Sequence, residues 1–146
     1  METDLDKRYQ TLVVLWFALL MSVGMYFLIC LFAAPEIADP AGAAPNTLLI
    51  VILLVGVLLV ALSFLVKHKL LEGSVERQDM GLVQKSLIVA CAMCEVSAVL
   101  GLLGRFLIGS RYYYVLFVFS ALGIALHFPR RIQLQAAHYR NQQQLS

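Results

Sequence analysis

Glu95 is the one acidic residue inside any of the long apolar runs of this chain. A carboxylate at the centre of a bilayer costs at least about 2.5–3.5 kcal/mol, so it has to be protonated, paired or wetted. Three kinds of chemistry are open to such a group: reversible protonation, cation binding, or a hydrogen bond across a helix contact. Cys91-Ala92-Met93-Cys94 just before it is a C-x-x-C pair, but redox use of that spacing needs a helix N-terminus to activate a thiol. Here both cysteines sit well inside an apolar run and read as small apolar residues. Metal binding would need further converging donors, and Cys30 is placed near the other membrane surface, so no metal site is expected. His68 and His127 stand at the ends of their apolar runs, where a shared haem is conceivable. Beside Lys67 and Lys69, or Pro129-Arg130-Arg131, they read instead as interfacial residues, and no cofactor is expected. With no nucleophile-and-base motif, glycine-rich phosphate loop or metalloprotease spacing, the chain is expected not to be an enzyme.

The elements that hold Glu95 follow from composition. The 146 residues are 61% hydrophobic and 14% charged, against about 45–50% and 25% in ordinary soluble domains. A bilayer core of about 30 Å takes about 20 helical residues, because every backbone amide must find its partner within the segment. Segments meeting that requirement lie at about 11–34, 47–66, 86–108 and, more briefly, 112–128. The first is too long for the apolar part of a signal peptide, which spans roughly 7–15 residues. The expected fold is therefore all-α, a single membrane domain of four transmembrane helices followed by a polar tail over 129–146.

Charge placement orients the bundle. The connection over 35–46 holds prolines and acids but no Lys or Arg, whereas Lys67, Lys69, Arg77 and Lys85 fall between the second and third runs. Lys7, Arg8, Arg130, Arg131 and Arg140 lie in the two tails. The positive-inside rule puts those residues and both termini in the cytoplasm. Arg105 and Arg111 flank the turn at the opposite surface, where Tyr112, Tyr113 and Tyr114 supply an aromatic belt. A formal net charge of +2 without aromatic and basic interleaving excludes a nucleic-acid binder.

The third segment carries a second signal. Ala90, Cys94, Ser97, Gly101 and Gly104 recur at spacings of four and three, which lines small side chains along one helical seam. Glu95 borders that seam. As a neutral acid it would bond across a helix contact to Ser22, Tyr26, Ser63, Ser120 or a backbone carbonyl.

Residues 76–109 resemble the carboxylate-bearing hairpin of the proteolipid c subunit of rotary proton-translocating ATPases. Arg77-Gln78-Asp79 is similar to that family's polar loop, and Ala92-Met93-Cys94-Glu95 with Gly101-Leu102 to its acid-bearing helix. The rest of the chain is not matched. The resemblance implies that Glu95 binds a proton and that Arg77 and Gln78 lie in a loop facing a cytoplasmic partner. Two functions are thus expected of this chain. One is a small membrane subunit or accessory protein packing through the third helix, with Glu95 as a protonatable contact. The other is proton or cation translocation by an oligomer using Glu95. Either places it in a plasma or inner membrane, with lipid and other membrane subunits or further copies of itself as partners.

Overall fold

A computed structural model describes residues 2–33, 46–77, 80–109 and 112–135. Helix α1 runs Glu2–Phe32, α2 Asn46–Arg77, α3 Met80–Ile108 and α4 Tyr113–Leu126. No strand occurs among the described residues. The first three helices are each long and apolar enough to cross a membrane, and α4 is a shorter apolar helix of 14 residues.

The helices overrun the apolar runs that announce them. The stretch expected as a loop from 67 onward is helical through Arg77, and α3 already begins at Met80. Lys, Leu, Glu and Arg are good helix formers in water, and the His68–Glu72 pair, 3.2 Å apart one turn on, supports the extension. Arg77 therefore closes α2 instead of standing in a loop, while Gln78 and Asp79 lie outside the described residues. So do the connection over 34–45, Arg111, and the tail beyond 135.

Gly109 follows α3 with φ of 68°, a left-handed conformation that side chains disfavour, and α4 begins at Tyr113. At its other end α4 stops at His127, which caps it two residues before Pro129. The polar tail then forms one further helical turn over 131–135, and Leu134 is tucked into the core with 4% exposure.

Packing makes α3 the centre of the molecule. It touches α1, α2 and α4; α4 touches α1 and α2 as well; α1 and α2 do not touch each other. Two helices that share both neighbours without meeting must lie on opposite flanks, so α1 and α2 sit either side of an α3–α4 pair. Accordingly 44% of the apolar window of α3 is buried, against 11% in α1 and 17% in α2.

The outer faces carry Val14, Phe17, Met21 and Met25 on α1 and Leu54, Leu58 and Leu65 on α2, all exposed. Such continuous apolar surface is far larger than a water-facing monomer presents. In lipid those residues lose nothing by exposure, so helix association has to come from close packing and polar contacts.

The helices alternate in direction. Asp6 near the start of α1 pairs with Arg131 after α4 at 3.4 Å, and the Arg131 guanidinium lies 4.8 Å over the Tyr9 ring. The start of α1 and the segment after α4 thus meet at one end of the bundle, called the base below, and the junction of α3 with α4 marks the apex.

Candidate functional site

Glu95 lies near the middle of α3 and is half-buried on the side facing α1, where its Oε1 meets the Ser22 hydroxyl. Ser22 belongs to the set of partners the sequence allowed. The same hydroxyl stands 2.7 Å from the Leu19 carbonyl one turn back on α1. A serine has one hydrogen to give. If Ser22 gives it to Leu19, the hydrogen shared with Glu95 is the carboxyl's own and the acid is neutral. If it goes to Glu95, a carboxylate can accept it. Three oxygens thus gather at one point of the α1–α3 contact: Glu95 Oε1, Ser22 Oγ and Leu19 O. The second carboxyl oxygen has no hydrogen-bond partner among the described residues.

The small-residue seam faces elsewhere. Ala90, Cys94 and Ser97 are fully buried, and Gly101 and Gly104 are buried too. Its partners are α2 and α4, which answer with glycines of their own. A side chain at Gly123 of α4 would come within 2.8 Å of Cys94 Sγ and 2.9 Å of a Val60 methyl. One at Gly56 of α2 would meet Leu116 and Ser97 Oγ, and one at Gly101 would press on Leu116 and the Tyr113 carbonyl at 3.2 Å. Ser97 Oγ is buried without a hydrogen-bond partner among the described residues, so its small size is what the contact uses. At Gly104 an added carbon meets nothing within 4 Å, so the tight part of the seam ends before it. The acid and the seam therefore share α3 but serve different neighbours.

A polar cluster at the base escaped sequence reasoning. His127, expected at the interface, is fully buried, and its Nε2 lies 2.9 Å from Ser63 Oγ of α2. Ser63 in turn bonds the Val60 carbonyl at 2.6 Å and stands 3.5 Å from Cys94 Sγ. The Phe64 ring packs edge-on against the imidazole with centroids 4.3 Å apart. Ser120 of α4 donates to the Cys94 carbonyl at 2.7 Å, tying α4 to α3. Ser63 and His127 have the atoms of a nucleophile and base, but both are fully buried, so the pair acts as a clamp between α2 and α4.

The end of α4 is closed from both flanks. Trp16 of α1 donates its indole N–H to the Ile124 carbonyl at 2.6 Å, and Lys67 of α2 donates to the His127 carbonyl at 3.2 Å. Terminal carbonyls of a helix lack partners within it, and a cation there also complements the helix dipole.

The remaining candidates do not converge. His68 is exposed and pairs with Glu72, whereas His127 is buried against Ser63. Cys30, Cys91 and Cys94 are buried free thiols. Comparison of the chain with family models, characterised proteins and solved structures returned no match.

Proposed function

We propose that this chain is a small noncatalytic integral membrane subunit or accessory protein, crossing the bilayer four times with both termini in the cytoplasm. It packs through α3 and holds Glu95 as a protonatable contact. The observation that carries this reading is the meeting of Glu95, mid-way along α3, with Ser22 of α1: an acid at that depth needs a partner, and here it joins two helices. The orientation draws support from the base, where Lys7, Arg8, Lys67, Lys69, Arg77, Lys85, Arg130 and Arg131 gather on the ends of four alternating helices.

Substitution at Glu95 tests the contact. Glu95→Gln keeps a neutral hydrogen-bonding group of the same shape and should leave the thermal midpoint in mild detergent within a degree or two of the parent. Glu95→Ala should lower stability by about 0.6–2 kcal/mol, the range of interhelical hydrogen bonds in membranes. Equal loss from both would mean that the charge matters and the neutral contact does not. The native mass of the protein drawn from its own membrane in the same detergent tests the subunit reading, and a single chain without companions counts against it.

A second reading, proton or cation binding at Glu95 by an oligomer, draws on the three oxygens gathered there. Its test is labelling of Glu95 by a hydrophobic carbodiimide. Labelling slowed by sodium or by rising pH would favour transport, and labelling indifferent to both would remove it.

A further inference from the structure

We infer that the face of α3 left open between α1 and α2 is a seat for a partner transmembrane helix carrying a lysine or arginine at mid-span, which Glu95 would pair. The inference deepens the subunit reading and rests on it.

Because α1 and α2 flank α3 without meeting, a strip of α3 stays uncovered between them. Ile88, Ala92, Val96, Val99 and Leu103 recur at spacings of four and three and are all exposed, so they floor an apolar groove one helix face wide. Ala92 at its middle lets another backbone approach closely. Glu95 lies on the α1 margin of the strip, half-buried, with Oε1 engaged by Ser22 and the other oxygen without a hydrogen-bond partner among the described residues.

Lipid covers such a strip well except at its Glu95 margin, where a half-buried carboxyl group borders hydrocarbon. Charged residues inside membranes pair with one another, and a cationic side chain at matching depth answers an acid there. A second copy of the chain does not supply it: the third span holds one base, Arg105, nearer the apex, and the other three spans hold none at the depth of Glu95. The complement must come from a different protein.

The test uses the full chain in phosphatidylcholine vesicles, labelled for energy transfer to synthetic leucine-rich transmembrane peptides with a central lysine or none. The lysine peptide should associate about tenfold more tightly than the all-leucine one. Glu95→Gln should erase that difference. Val96→Trp, at an exposed position that leaves the internal packing alone, should weaken association by filling the groove. Equal association of the two peptides with the parent chain overturns the inference without need of any variant. So does a lysine preference that survives Glu95→Gln. Neither result bears on the native mass of the protein in detergent, so the subunit reading fails or stands separately.

Discussion

Ser63 and His127 show how unequal the two ends of one hydrogen bond can be. Ser63→Ala removes the hydroxyl partner of a fully buried imidazole whose Nδ1 has none among the described residues. That should cost about 1–3 kcal/mol, read as a fall in the thermal midpoint of helix melting. His127→Phe keeps the ring volume against Phe64, and Ser63 retains its bond to the Val60 carbonyl, so it should cost clearly less. The reverse order would show that packing of the ring, and not its hydrogen bond, holds α2 to α4. Little of this pair was legible beforehand. The sequence placed His127 beside Pro129-Arg130-Arg131 and so at a surface; its partner lies 64 positions away, and no local spacing reports that distance. Glu95 was legible because a lone acid in an apolar run is costly wherever the run ends up. That Ser22 and not Tyr26, Ser63 or Ser120 answers it depends on the vertical register of α1 against α3, which side-chain periodicity leaves open.

At the level of the helices, the apolar runs located the four elements, and the polar extensions were invisible for a physical reason. Hydropathy records where a helix meets hydrocarbon, whereas hydrogen bonding and propensity decide where it stops, so α2 carries on to Arg77 through residues that read as a loop. The seam was legible as small residues but not its direction: its tight contacts turn on Gly56 and Gly123, isolated glycines in helices of Leu, Val and Ile. Their different surroundings give an ordered expectation. Gly123→Ala drives a carbon into Cys94 and Val60 and should cost about 1–3 kcal/mol as α3 and α4 shift apart. Gly24→Ala meets open space on α1 and should be neutral or raise stability by up to about 1 kcal/mol through helix propensity. Thermal melts of the two variants beside the parent check both signs.

For the molecule as a whole, the meeting of Asp6 with Arg131 puts the start of α1 and the segment after α4 at one end of the bundle, which on the four-span proposal is the cytoplasmic end. Single cysteines introduced at these two exposed positions should react with an impermeant maleimide only after intact cells are opened. Reaction of one from outside and the other from inside would defeat the four-span topology. The ion pair itself is exposed, and its removal should change stability by about 1 kcal/mol or less, shrinking further in high salt.

The unequal lengths of the helices also set what kind of bilayer suits this protein. With 14 residues at about 1.5 Å each, α4 covers roughly 21 Å of a hydrocarbon layer about 30 Å deep, and α1, α2 and α3 are each long enough to cross outright. Trp16 and Lys67 finish α4 at its base with an indole and an ammonium, groups at home near headgroups and not among acyl tails. On the four-span proposal, lipid beside α4 dips to meet that end. Membrane thickness becomes a variable to which this fold responds: its thermal midpoint should be highest in short-chain phosphatidylcholine and decline as the acyl chains lengthen. In a cell with membranes of several depths, the shortest helix would bias the protein toward the thinnest.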